Sequence, residues 1–193
     1  MVFPTSIFTI LGVLLLWILI FQGFGSHAQF LPEDEDGLTF SNCLLKGLNL
    51  TGTFPDEFGN LTHLQELDLT RNHINGQLPT SLANAPLVKL SLLGNRLNGS
   101  IPKEIGDIGT LEELVLRNCL INGSIPQYIG EMNKLSTLFL TNNSLSGEVP
   151  GWILRSKKNI DLSYNNFSGS TLASCQQSPV NLVASYPPTA NHQ

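Results

Sequence analysis

Charge is scarce in this sequence. Asp, Glu, Lys and Arg make up 13% of its 193 residues, and the net charge is -5. That mild acidity leaves no basic face for nucleic acid and no polybasic patch for a membrane surface. Cysteine is nearly absent, with Cys43, Cys119 and Cys175 the full set. In an exported chain an odd count leaves at least one thiol without an internal partner. The histidines are His27, His63, His73 and His192. None belongs to a nucleophile motif, and no His/Cys cluster has metal spacing. A kinase Gly-rich loop and a kinase catalytic loop are also missing. These absences count against catalysis, and no metal or cofactor is expected. Long apolar runs are lacking too. The single run, Ile7 to Phe21, is about 15 residues, short of the roughly 20 that a membrane-spanning helix needs. Residues 1–28 therefore read as a signal peptide, with Ser26-His27-Ala28 placing small residues before a cut at Gln29. An uncleaved anchor is the alternative, because no Lys or Arg precedes the run. Gly23-x-Gly25-x-x-Ala28 fits a dinucleotide fingerprint by letters only, since no strand–helix unit surrounds it.

What the chain has in abundance is one motif. Leu67-x-Leu69-x-x-Asn72-x-Ile74-x-Gly76-x-Leu78-Pro79 is its clearest copy. Leu90 to Pro102, Leu114 to Pro126 and Leu138 to Pro150 repeat it closely. Cys43 to Pro55 is a looser copy, and Ile160 to Gly169 is one that stops before its Pro. The motif glycines fall at 52, 76, 99, 123, 147 and 169, a period of 22 to 24 residues. This is the leucine-rich repeat signature. The expected fold is a curved solenoid with parallel strands on its concave face, and 3₁₀ or short helical turns and loops outside.

The motif has a physical logic. In Leu-x-Leu both leucines lie on one face of a short strand, because strand side chains alternate. A lone repeat cannot cover that face, whereas stacked repeats can. The Asn sits where the chain leaves the strand and turns inward. Its amide both donates and accepts, so it can satisfy backbone groups that the turn would bury. Asn72, Asn95, Asn143 and Asn165 are expected to stack as a ladder, with Cys119 and Leu48 replacing the Asn in two repeats.

Gly-x-Ile-Pro after the Asn resembles the plant-type subclass of leucine-rich repeats, seen in plant receptor kinases and polygalacturonase-inhibiting proteins. The resemblance covers about Cys43 to Gly169. Asn49 to Pro55 with Glu57 to Thr62, then Asn159 to Phe167, Ser174 to Gln177 and Val180 to Tyr186, resemble receptor-like kinases that carry a malectin-like domain after the repeats. The resemblance implies a receptor ectodomain cut at both ends, without the cysteine-containing cap such receptors place before the first repeat. Fraying of that first repeat is the corresponding expectation.

Four segments follow: a signal peptide at 1–28, an acidic leader at 29–42, leucine-rich repeats at 43–169 and an extended tail at 170–193. Cys43 and Cys119 lie three strands apart, on the order of 14 Å, too far to bridge. Any partner of Cys175 lies elsewhere. Arg155-Ser156-Lys157-Lys158 reads as a solvated outer turn. Asn-x-Ser/Thr sequons at Asn49, Asn60, Asn98, Asn122, Asn142 and Asn166 agree with export and are expected glycosylation sites.

Function is expected on the concave face, at the strand positions that are not leucine. One column is Asp68, Ser91, Val115, Phe139 and Asp161. A second is Thr70, Leu93, Arg117, Thr141 and Ser163, and a third is Arg71, Gly94, Asn118, Asn142 and Tyr164. The scaffold is expected to leave them free for recognition. Asp68, Thr70, Arg71, Leu93, Val115, Arg117, Phe139 and Tyr164 are the candidate partner-binding residues, with Leu93 and Phe139 forming an exposed apolar patch. The expected activity is extracellular or cell-surface recognition of a protein, a peptide or a cell-wall carbohydrate, or pairing with a receptor kinase. A secreted inhibitor of wall-degrading enzymes and a non-functional truncated product are the alternatives. Such inhibitors carry about twice as many repeats and cysteine caps at both ends, which counts against the first.

Overall fold

A computed structural model describes residues 41–168. The signal peptide, most of the acidic leader, the tail and Cys175 lie outside the described residues. Each Leu-x-Leu segment forms a three-residue strand: β1 (Asn42–Leu44), β3 (Glu66–Asp68), β5 (Lys89–Ser91), β7 (Glu113–Val115), β9 (Thr137–Phe139) and β11 (Asn159–Asp161). These pair in parallel, in that order, as one six-stranded sheet. The register puts Cys43, Leu67, Leu90, Leu114, Leu138 and Ile160 in one column. All of them are buried, as are Leu45, Leu69, Leu92, Leu116, Leu140 and Leu162 at the second motif position. Each such side chain contributes roughly 1.5–3 kcal/mol that an isolated repeat would forfeit.

The Gly-x-Ile-Pro half of the motif forms the other layer. Strands β2 (Thr51–Thr53), β4 (His73–Gly76) and β6 (Arg96–Leu97) make one parallel sheet; β8 (Asn122–Gly123), β10 (Ser144–Glu148) and β12 (Asn166–Ser168) make another. Proline then ends each extended stretch and opens the outer turn. Pro55, Pro79, Pro102 and Pro126 precede 3₁₀ turns at Asp56–Asn60, Thr80–Asn84, Lys103–Asp107 and Gln127–Glu131. Pro150 precedes a short α-helix, Gly151–Leu154. The expected short outer turns are present. They stack through small residues: a Cβ on Gly106 would lie 2.6 Å from the Tyr128 ring, and one on Gly130 2.8 Å from the Trp152 ring. Among the described residues no helix is long and apolar enough to cross a membrane.

The asparagine ladder joins the layers. Asn95 Nδ2 donates to Leu92 O at 2.9 Å in its own repeat and to Leu69 O at 3.0 Å in the repeat before. Its Oδ1 accepts from Ile74 N–H at 3.0 Å. Asn143 and Asn165 make the same three bonds to their own and preceding repeats. Cys119 offers less, its thiol donating to Leu92 O at 3.4 Å and to Arg117 O at 3.5 Å. Backbone bonds still carry the second layer across Cys119, Leu120 N–H to Leu97 O at 2.7 Å and Asn122 N–H to Gly99 O at 2.9 Å.

The first repeat has Leu48 in place of the Asn. Asn72 serves it from the next rung, Oδ1 accepting from both Leu48 N–H and Leu50 N–H at 3.0 Å. An edge-on pair, Phe54 and Phe58, fills its outer side with ring centroids 5.2 Å apart. The expected fraying gives way to a strand β1 paired over its whole length with β3. Cys43 and Cys119 are buried free thiols, as expected of three-strand separation. Burial pushes the Cys43 thiol up to about 12 and raises that of Cys119, so neither is a nucleophile at neutral pH.

The ladder predicts opposite outcomes for two substitutions. Asn95→Ala leaves Ile74 N–H without a partner, and leaves Leu69 O to Asn72 Nδ2 alone and Leu92 O to the Cys119 thiol alone, so it should destabilise the chain by about 1–3 kcal/mol. Cys119→Asn restores the missing amide and should raise the melting temperature by about 3 °C. Thermal melts followed by circular dichroism check both; a harmless Asn95→Ala would remove the ladder from its central role.

Candidate binding face

The main sheet presents its non-leucine side chains in register. One column runs Leu44, Asp68, Ser91, Val115, Phe139 and Asp161. A further column precedes the first leucine of each repeat: Asn42, Glu66, Lys89, Glu113, Thr137 and Asn159. The sequence reading missed it. Strand alternation was the signal, since residues on either side of the inward leucine point the same way.

The expectation that the scaffold leaves these positions free needs correction at several of them. Asp68 Oδ1 accepts from Thr70 N–H at 2.8 Å, and Asp161 Oδ1 from Ser163 N–H at 3.1 Å. Each carboxylate closes the turn that ends its strand. The Thr70 and Ser91 hydroxyls share a hydrogen bond of 2.9 Å. Thr70 and Val115 are only 6% and 7% exposed, because close neighbours on the face cover them. Leu93 and Phe139 are half-buried and form no exposed apolar patch. Among the described residues the exposed large apolar side chains are instead Leu44, Leu120 and Tyr164.

Arg117 has a defined setting. Its Nη2 lies 3.4 Å from Asp161 Oδ2, and its guanidinium carbon lies 5.4 Å from the centroid of the Phe139 ring. The cation is thus held over an aromatic face by a carboxylate two rungs away, at partly exposed positions where each contact contributes about 0.5–1 kcal/mol.

The third column is fixed by backbone rather than side-chain packing. Gly47, Arg71, Gly94, Asn118, Asn142 and Tyr164 occupy the same place in six successive repeats, with φ of 69°, 58°, 72°, 52°, 56° and 59°. The left-handed turn aims each N–H at the next rung. Arg71 N–H reaches Leu93 O at 2.7 Å, Gly94 N–H reaches Arg117 O at 2.8 Å, and Asn118 and Asn142 continue the series at 2.9 Å. Gly and Asn tolerate this conformation, whereas Arg71 and Tyr164 do so at roughly 1 kcal/mol each. Both side chains are exposed, and among the described residues neither polar end has a partner.

Two other expectations have definite outcomes. Lys158 is not part of a solvated turn: its ammonium donates to Met132 O at 2.7 Å and Leu135 O at 2.8 Å, capping the carbonyl end of the preceding outer turn. The sequon asparagines Asn49, Asn60, Asn98, Asn122, Asn142 and Asn166 are all exposed. Asn49, Asn98, Asn122 and Asn166 lie in or beside strands of the second layer and Asn60 ends an outer turn, whereas Asn142 stands on the third column.

Known proteins share this arrangement. The Leucine Rich Repeat family model matches residues 63–85, 110–132 and 134–155. A probable LRR receptor-like serine/threonine-protein kinase of Arabidopsis thaliana is 56% identical over 57 residues, which are 30% of this chain and 6% of the kinase. The chain therefore spans a small part of the length of the curated relatives it matches. A chain of the BIR3–SERK2 complex from Arabidopsis thaliana superposes with a TM-score of 0.65 at 32% identity, covering 71% of this chain and 74% of that one. The plant peptide hormone receptor RGFR1, solved with RGF2, superposes with a TM-score of 0.65 at 34% identity over 69% of this chain and 22% of that one. The fold is a leucine-rich repeat solenoid, and the chain belongs to the leucine-rich repeat family. Within it, the chain is homologous to plant LRR receptor-like kinases, and its structural neighbours are plant LRR ectodomains.

Lys158 supplies a test of the reassigned basic cluster. Lys158→Met should destabilise the chain by about 1–3 kcal/mol, because two carbonyls lose a charged donor. Lys157→Met, one residue earlier and exposed, should change stability by less than about 0.5 kcal/mol in the same urea titration.

Proposed function

We propose that this chain is an extracellular recognition module that binds a peptide or protein segment across its six-stranded sheet and does no chemistry itself. The observation that carries the reading is the continuous, in-register face, with charged side chains at Glu66, Lys89, Glu113 and Arg71 that the fold does not need for packing. Two structural neighbours support a polypeptide partner, since one was solved in complex with RGF2 and the other belongs to the BIR3–SERK2 complex. Export, with cleavage before Gln29 and glycans on the sequons off the third column, Asn49, Asn60, Asn98, Asn122 and Asn166, belongs to the same reading. So does membership of the malectin-domain group, which rests on the segments Asn49 to Thr62 and Asn159 to Phe167.

The test uses the chain secreted from plant cells, with its N-terminus and glycans mapped. It is then offered to a phage-displayed library of random 12-residue peptides. Enrichment on the native chain, lost at least tenfold on a folded Lys89→Glu/Glu113→Lys variant, supports the reading. No enrichment, or equal retention by the variant, would refute it, as would a chain that stays inside the cell.

A further inference from the structure

We propose that the left-handed column is the docking line, with Arg71 and Tyr164 as its two specificity anchors for an extended peptide. The inference rests on the recognition reading above and names where and what that face binds. Six equivalent positions adopt φ between 52° and 72°, and four of them hold the residues suited to it, Gly47, Gly94, Asn118 and Asn142. Arg71 and Tyr164 depart from that rule at the second and sixth rungs. A departure that costs stability and whose polar ends find no partner among the described residues points to a use outside the fold.

The column supplies the rest of a peptide site. Asn142 Nδ2 donates to Asn118 Oδ1 at 2.8 Å. That leaves Asn118 Nδ2 as a donor and Asn142 Oδ1 as an acceptor, a pair matched to a peptide backbone. Gly94, the next residue of the column, presents no side chain, and the stem of Arg71 lies beside it. Arg71 has no carboxylate partner among the described residues, which makes it a receptor for one. Tyr164, 48% exposed, offers a ring for an apolar or aromatic side chain. Four rungs at about 4.8 Å separate the anchors by roughly 19 Å, the reach of about six extended residues. The occupant is therefore an extended segment with an acidic residue about six positions from an apolar or aromatic one.

The experiment uses the 12-residue pool enriched on the native chain, measured against Arg71→Asn, Tyr164→Asn and Tyr164→Phe. Each Asn variant should raise the melting temperature by about 3 °C while weakening pool binding at least tenfold. Tyr164→Phe should keep most of the binding, and the pool should show the acidic and apolar spacing. A fall in melting temperature would make the two residues structural and overturn the proposal. Undiminished pool binding by both Asn variants, with loss on Lys89→Glu/Glu113→Lys, would leave the sheet face as the site and remove the column. Failure of any pool to enrich would overturn both. Asn142 also heads a sequon, and a glycan there would cover the line, so peptide mapping must find it bare.

Discussion

An asparagine amide can bond the backbone of two successive repeats at once, and the stack depends on this. Each turn inward from the main sheet buries a carbonyl, that of the second motif leucine, and an N–H that no strand partner reaches. Left unpaired, such groups cost about 1–3 kcal/mol apiece, comparable to what a buried leucine contributes. The ladder removes that cost and couples neighbours, so the repeats gain their apolar burial only together. Where the amide is missing, the fold adjusts locally. Asn72 takes a second N–H for the first repeat. At Cys119 the thiol covers one carbonyl of the preceding repeat, and backbone bonds alone carry the second layer across.

The same turn decides which surface residues are free. To leave the strand and still present an N–H to the next rung, the chain passes through the left-handed region once per repeat. Within each repeat the positions after the strand leucines therefore differ in kind. The first carries carboxylates that close turns, or side chains that shield neighbours. The second is packed against the rungs beside it. The third is exposed but conformationally expensive for most residues. Freedom for recognition is narrower than an alternating pattern implies, and it is concentrated where the backbone is least tolerant.

Much of this was legible in the sequence, because the period fixes which residues share a column. The strand leucines, the Asn ladder, the proline-led outer turns and the unbridged Cys43 and Cys119 all follow from spacing and side-chain chemistry. The contents of each column were harder to read. Thr70 and Val115 look surface-facing from alternation alone, and only the closeness of neighbouring strands buries them. Asp68 looks like a free carboxylate until the turn after it is seen to bend back onto it. Lys158 sits in a basic run, yet two carbonyls from the previous repeat reach it across about 24 residues of chain. Such contacts join residues one repeat apart and leave no local trace. The glycines and asparagines of the third column did leave one, since Gly47, Gly94, Asn118 and Asn142 are the residue types that a left-handed backbone selects.

A face built this way suits binding by preorganisation. Its side chains stand on one continuous sheet whose four inner strands are bonded on both edges, and Arg117 is already held by Asp161 and Phe139. A partner would therefore order few groups on docking, and that ordering is a main cost of association. The strain at Arg71 and Tyr164 belongs to the same economy. It is borne in the folded state whether or not a partner is present, so it lowers stability without lowering affinity. A scaffold coupled through every rung can carry two such positions; a short hairpin with a few kcal/mol of stability could not. The ladder that makes the solenoid cooperative is thus also what allows residues unsuited to their backbone to be kept for what they can reach.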